Sequence, residues 1–548
     1  MLGMTETSRE PGSLSATVSP GEDARLRRGL GTASLSLITF SSVIGSGWLL
    51  APYTAAKAAG PAAFLSWTIA SVATLLVSLA FIDLAFRHPM SGGNVRWPQL
   101  ASGPLVGTVV GWAVFLQAVY AAPSESSAVV QYASGWLPWV MSGESLSWAG
   151  RLLAVGLLAV FCTLNLFGLR LLAAVNNVVA AVKVVIPALT VILLLASGFD
   201  SSNVDRGGGV APFGVSAALT AVVGGGLVYS FTGINAAAVM SGEAKNPRRT
   251  VPRATLIVLV GSVLLYLGLQ AVMIFSTPAG LLGSGWHGIN LKSPLAAIAT
   301  LLGLGWFSTV LLADAVFSPS GSLLIGIGVK GRYTYGAAQN GLLPAALTRV
   351  DRRFGIPRRA LLLNVSIGSV IVLAFGNWKT IASSLSFYYG LSYAAVSVAV
   401  TVLGASTPVE KGWLRRWTTP VGFASFVISG LILYWSAWEK IRIAVPLLLI
   451  GFGIYLVRSR ARAGSWSRIQ AAGGWLVGFL VMLVALSGLG SFGGTGLLAA
   501  PYDSVVVGVL SGGIWWLAHR SGLRHQHRLQ QSTVDLPDNE TDNARSTA

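Results

Sequence analysis

The sequence predicts an all-α polytopic membrane protein of about 14 transmembrane helices, and three observations carry that reading. Of the 548 residues, 53% are hydrophobic and 10% charged, against roughly a quarter charged in ordinary soluble domains. So few charges cannot solvate a soluble surface of this size. Apolar runs long enough to cross a hydrocarbon core, which takes about 20 residues as helix, recur from Leu35 to Leu517 with short polar gaps. These runs are continuous in Leu, Val, Ala and Gly rather than alternating, which excludes a β-barrel as the spanning architecture.

In chain order the predicted spans lie near 32–57, 61–86, 104–134, 150–168, 171–197, 213–241, 252–276, 295–330, 358–376, 379–403, 419–438, 441–457, 471–489 and 501–518. Fourteen crossings return both termini to one side, so every second loop should be rich in Lys and Arg. Of the 37 basic residues, the odd-numbered loops hold only Lys57, Arg151, Arg206, Lys292, Lys379, Lys440 and Arg442, and Lys183 falls inside the fifth span. All the others lie at the N-terminus, in the even-numbered loops or at the C-terminus. This asymmetry places both termini in the cytoplasm and makes the net charge of +18 a topology signal, not a nucleic-acid footprint.

The first 30 residues and the tail 521–548 are polar and are expected to be disordered and cytoplasmic. The N-terminal segment has no apolar core of the kind a cleavable signal peptide needs. The single cysteine, Cys162, sits in an apolar run, so neither a disulfide framework nor a cysteine-ligated metal site is expected. Many of the 18 tryptophans stand at predicted span ends, among them Trp112, Trp136 and Trp139, as in an interfacial belt, and they suggest no cofactor.

Two spans carry glycine where a continuous helix should not want it. In the first, Ile44-Gly45-Ser46-Gly47-Trp48 interrupts an apolar run near its middle; in the sixth, Gly224-Gly225-Gly226 precedes Ser230-Phe231-Thr232-Gly233-Ile234-Asn235. Glycine costs about 1 kcal/mol relative to alanine inside a helix. Paired interruptions at corresponding places in two halves point to a transporter binding site, and a separation of five spans is what an inverted repeat of five plus five helices requires. Unwinding frees amide N–H and C=O groups that lipid cannot satisfy. A zwitterion can: its carboxylate takes N–H groups at a half-helix N-terminus and its ammonium takes stranded carbonyls. The competing reading is that these glycines only allow close helix packing.

Several motifs then coincide in order: Ile44 to Pro52 (IGSGWLLAP), His88 to Gly93 (HPMSGG) with Gly103-Pro104 and Gly111-Trp112, Ser230 to Arg253 (SFTGINAAAVMSGEAKNPRRTVPR) and Arg332 to Pro344 (RYTYGAAQNGLLP). Together they resemble the amino acid-polyamine-organocation (APC) superfamily over roughly residues 30–403. Fourteen spans with Asn94 to Pro98 (NVRWP) look most like its bacterial aspartate:proton symporter branch. The resemblance implies a leucine-transporter-type core at 31–403, with repeats about 31–197 and 213–403, and accessory helices 11–14 at 404–520. It also implies a bacterial cytoplasmic (inner) membrane. By matching position, Ile44, Gly45, Ser46 and Gly47 would hold the substrate carboxylate. Ser230, Phe231, Thr232 and Ile234, with Gly233 and Asn235 beside them, would hold its amine and cover it, Phe231 as an aromatic gate. Superfamily members often carry Glu where this chain has Asn235.

Three ionisable residues lie deep in predicted spans. Lys183 is about twelve residues, or roughly 18 Å, into the fifth helix, near the bilayer midplane. An ammonium there is costly, and desolvation favours the neutral amine, so such a lysine can release a proton. In proton-coupled relatives the resemblance puts a lysine in the place of a sodium ion. Asp314 in the eighth helix and Glu125 in the third could pair with Lys183, protonate during transport or meet a charged substrate group. Ser318, Ser320 and Ser322 around Pro319 either supply hydroxyls near Lys183 or serve helix packing. Asp83, near the cytoplasmic end of the second helix, is expected to be structural and able to snorkel to the interface, and Glu243, Lys245, Arg248, Arg249 and Arg253 to anchor a loop by salt bridges.

The function so predicted is secondary active transport of a small amino acid, aspartate being one candidate, by symport with protons and alternating access. An uncoupled amino acid exchanger and a polyamine or organocation permease are the alternatives within transport. A membrane enzyme would need a constellation at one membrane face, whereas His88, His287, His519, His525 and His527 are scattered. A sensor would need a structured output domain that the tail from Ser521 is too short to form.

Overall fold

The computed structural model describes residues 30–90, 92–166, 170–339, 342–351, 356–406, 416–460 and 466–534. The segments 1–29 and 535–548, read above as unstructured, lie outside them. Among the described residues the fold is helical apart from one short hairpin, β1 (Met141–Ser142) with β2 (Ser145–Leu146), and two isolated bridges. Among these residues eleven helices are long and apolar enough to cross a membrane, and two shorter apolar helices, Thr32–Val43 and Gly214–Gly224, belong to the interrupted segments.

The chain begins with α1 (Thr32–Val43), α2 (Gly47–Ala59), α3 (Ala63–Arg87), α4 (Gly93–Ala133), α5 (Trp148–Leu166) and α6 (Arg170–Gly198). It continues with α7 (Gly214–Gly224), α8 (Leu227–Ser230), α9 (Ala236–Val239), α10 (Pro247–Phe275), α11 (Pro294–Leu301), α12 (Gly305–Gln339), α13 (Arg358–Phe375) and α14 (Trp378–Ser406). The last four are α15 (Thr418–Trp435), α16 (Trp438–Arg460), α17 (Trp466–Leu489) and α18 (Tyr502–Val534). Helix α4 is the central strut and packs on α12 and α14, while the interrupted pieces α2, α7 and α8 pack on one another.

Several sequence expectations change. The span expected at 295–330 is two helices, because Gly303 turns the chain at φ 80 between α11 and α12. The tail expected to be disordered from Ser521 is helical to Val534. Composition registers only its polarity, whereas its inner face has partners: Gln526 Nε2 donates to Leu100 O at 2.6 Å and Ser521 Oγ to Ala472 O at 3.2 Å. Asp83 has the structural role expected but does not snorkel; it is buried against Arg87 one turn on, Nε to Oδ2 2.9 Å. Trp112 is buried and donates to Leu447 O at 2.7 Å, whereas Trp136 and Trp139 are exposed as an interfacial belt requires.

The loop around Glu243 is held by backbone rather than by charge. Leu30 pairs with Ala244, Arg248 lies over the Phe86 ring, and no ion pair forms within the cluster among the described residues.

Far from the interrupted helices, buried Asp503 ties α18 to α15 and to the loop after α17. Its Oδ2 accepts from Tyr434 Oη at 2.7 Å, Ser491 Oγ at 2.5 Å and Ser491 N at 3.2 Å. Asp503→Ala strands these donors at a cost of about 2 kcal/mol or more. The expected result is a lower melting temperature in detergent, with Asp503→Asn intermediate.

Candidate functional site

Helix α1 ends because Gly45 N turns back to Val43 O at 3.0 Å and no longer reaches Ser41 O, its partner in a continuous helix. Ile44 takes an extended ψ of 91, and α2 restarts at Gly47. In the second interrupted segment Gly226 and Gly233 adopt φ of 80 and 96, a region open to glycine and strained for other residues. Gly233 also leaves room for Ser42: a Cβ on it would lie 2.4 Å from Ser42 O. Gly47 does the same for Ser230, whose Oγ would stand 2.5 Å from a Cβ there. Glycines in each segment thus bring the two breaks into direct backbone contact.

The freed backbone groups of the first break are met by opposite charges. At the α1 end, Lys183 Nζ donates to Ser41 O at 3.1 Å and to Ser322 Oγ of α12. At the α2 end, Ser46 N–H donates to Glu125 Oε2 at 3.0 Å. Cations suit a helix C-terminus and anions an N-terminus, so the break is a dipolar slot with Lys183 at one lip and Glu125 at the other. Gly45 admits the carboxylate: a Cβ there would lie 2.5 Å from Glu125 Oε1. Gly45→Ala is therefore expected to push Glu125 off Ser46 and to lower uptake at least tenfold in a protein that still elutes as a single species.

A directed chain of donors converges on Glu125. Trp378 Nε1 donates to Ser46 Oγ at 3.0 Å, Ser46 Oγ lies 3.0 Å from Tyr229 Oη, and Tyr229 Oη donates to Glu125 Oε1 at 2.5 Å. Ser124 Oγ adds a contact to Tyr229 Oη at 2.9 Å. A carboxylate is acceptor-only, which suits a group receiving both a phenol and an amide. The Trp378 ring also stands edge-on to Tyr229 with centroids 5.7 Å apart.

The remaining expected residues fall close by. Ile44, Ser230, Phe231 and Ile234 are fully buried. Phe231 lies edge-on to Trp67 and Tyr266 at 5.9 and 5.2 Å, and Tyr266 Oη donates to Ser230 O at 2.8 Å. Thr232 Oγ1 returns to Tyr229 O at 2.7 Å, and Asn235 Oδ1 accepts from Ser78 Oγ at 3.3 Å. Asp314 is buried on α12, two turns from Ser322 on the same face. Among the described residues, neither of its oxygens, nor Ser318 Oγ between them, has a hydrogen-bond partner. Lys183 makes no ion pair with Asp314 or Glu125; its partners are Ser41 O and Ser322 Oγ.

Sequence reasoning passed over Tyr229, Trp378, Ser124 and Tyr266. Tyr229 adjoins the Ser230 motif and was open to inspection there. Trp378 follows Gly376-Asn377 at the start of a span and looks like any interfacial tryptophan.

An amino acid permease family model matches residues 30–458. The chain is 32% identical over 520 residues to the glutamate/serine transporter AimA of Bacillus subtilis (strain 168), covering 92% of this chain and 95% of that protein. It is 29% identical over 511 residues to the aspartate-proton symporter of the same organism, covering 92% and 98%. The cationic amino acid transporter 4 of Mus musculus is 25% identical over 542 residues, covering 94% and 81%. These relatives are transporters, not enzymes. With its many apolar helices, its two interrupted segments in contact and this match across most of its length, the chain belongs to the amino acid permease family of the amino acid-polyamine-organocation superfamily.

Proposed function

We propose that the chain is an amino acid:proton symporter of the bacterial inner membrane that works by alternating access on a small amino acid, aspartate among the candidates. The observation that carries this reading is the dipolar slot, whose two lips bear Lys183 and Glu125. A substrate α-carboxylate seeks the amide of Ser46, where Glu125 already sits. Two carboxylates cannot share one site while both are charged. Entry of the substrate carboxylate therefore requires Glu125 to take a proton and surrender Ser46 N–H, while its other oxygen can still accept from Tyr229. Ile44 and Gly47 flank that carboxylate. Ser230, Thr232, Gly233 and Asn235 offer oxygens to the amine, and Phe231 and Ile234 cover it. Lys183 holds the α1 end through Ser41 and releases it on losing its proton.

The architecture that accompanies this reading is a ten-helix core of two inverted repeats at about 31–197 and 213–403. Fourteen spans, four accessory helices at 404–520 and cytoplasmic termini complete it, supported by the placement of Lys and Arg. The named relatives supply the substrate class: one carries glutamate and serine, another aspartate with a proton.

Labelled aspartate uptake into proteoliposomes with an acid exterior tests the proposal, challenged in turn by each amino acid at two pH values. Saturable accumulation that collapses on adding a protonophore is expected. Counterflow without net proton movement would instead make the chain an exchanger, and competition by polyamines would make it an organocation permease.

Asp314 enters as a second proton station. A carboxyl buried at membrane depth with both oxygens unpartnered among the described residues is costly, and such a residue marks a functional site. Asp314→Asn is expected to lower gradient-driven accumulation roughly tenfold, within the usual range of coupling energies, while leaving counterflow intact.

A further inference from the structure

A groove remote from the helix breaks opens between α4, α16 and α17, with a volume of about 510 Å³, inside the range of ligand-sized pockets. Leu105 and Val109 of α4 form its floor, and α16 forms one wall from Trp438 to Phe452. That stretch of helix is about 21 Å long at 1.5 Å per residue, against about 15 Å for half of a bilayer's hydrocarbon core. Leu449 and Val481 on its walls are 51% and 61% exposed, so the groove opens toward lipid. Its wall is longer than one leaflet's hydrocarbon core and its lining is apolar, so one acyl chain can lie along it.

One lining residue is charged. Arg442 stands near the N-terminal end of α16, is exposed, and makes no hydrogen bond or ion pair among the described residues. Glu439, a turn earlier, does not pair with it, and Lys440 adds a second cation at the same end. A guanidinium at the boundary between an apolar groove and water presents a donor fork that matches a phosphate.

We propose that this groove binds an anionic phospholipid, with one acyl chain along α16 and α17 and the phosphate on Arg442. The leaflet follows from the proposed topology, in which the start of α16 faces outward; the binding itself does not depend on the transport reading. The test exposes the delipidated full chain to equal amounts of phosphatidylglycerol and phosphatidylcholine with identical acyl chains, read by native mass spectrometry. One retained phosphatidylglycerol, preferred about fivefold, is expected for the unsubstituted chain. Arg442→Gln should bring that preference to parity, Arg442→Lys should keep most of it, and Leu480→Trp should fill the groove and expel both lipids. Equal retention of the two lipids, an unchanged preference in Arg442→Gln, or a doubled mass without lipid, which would assign the groove to a second copy, each overturns the proposal.

Discussion

Lys183→Ala is expected to abolish proton-driven accumulation, a loss of about 100-fold or more, while substrate counterflow persists. The side chain is 1% exposed and spends two of its three donors on Ser41 O and Ser322 Oγ. Removing it strands the carbonyl at the end of α1, at a cost of about 1–3 kcal/mol, so some loss of thermal stability accompanies the change. A merely structural lysine would lower counterflow and accumulation together; a coupling lysine lowers accumulation alone. Lys183→Arg separates the two further. Guanidinium keeps the positive charge at the α1 end but does not deprotonate in proteins. That variant should retain stability and remain uncoupled, and uptake in it that still follows the proton gradient would remove Lys183 from the coupling step.

The features most legible in the sequence are those that break a rule of the surrounding helix. Gly45, Gly47, Gly226 and Gly233 stand in apolar spans where alanine would be better, and they mark the places where the backbone opens and the two segments meet. Lys183 announces itself as a cation in a hydrophobic run. What stayed hidden depends on distance in sequence. Glu125 reads as one polar residue in a long helix; its seat on Ser46, 79 residues away, exists only once α4 is packed beside the break. The amide assigned above to a substrate carboxylate is thus already held by a carboxylate of the protein. Tyr229 and Trp378 carry no pattern that separates a hydrogen-bonding aromatic from a core one. The turn at Gly303 is equally silent, because Leu302-Gly303-Leu304-Gly305 is ordinary composition for a membrane helix. The helical tail to Val534 escapes notice because its partners, Leu100 and Ala472, come from elsewhere in the chain.

Glu125→Gln isolates the step in which proton and substrate compete for the same amide. Glutamine keeps the shape of glutamate, so its Oε1 can still accept from Tyr229 or from Ser46 N–H, but it carries no charge and takes up no proton. With the charge gone, a substrate carboxylate no longer meets a like charge at Gly45 and Ser46. Substrate binding should therefore lose its dependence on pH and keep an affinity close to that of the unsubstituted chain at its acid limit. Accumulation against a gradient should fall about 100-fold, because loading no longer requires a proton. Glu125→Asp retains the charge but withdraws the carboxylate by one methylene from Tyr229, so it should stay coupled with weaker uptake. Tyr229→Phe removes the donor to Oε1 and the link to Ser46 and Ser124. Because that donor favours the charged carboxylate, its loss should move the pH dependence of uptake toward higher pH without abolishing it. A structural role for Glu125 predicts a different outcome: Glu125→Gln would lower expression and melting temperature while the surviving protein kept its pH dependence. Measuring substrate binding across pH in the three variants decides between these accounts, and pH-dependent binding in Glu125→Gln would transfer the proton site to Asp314 or Lys183.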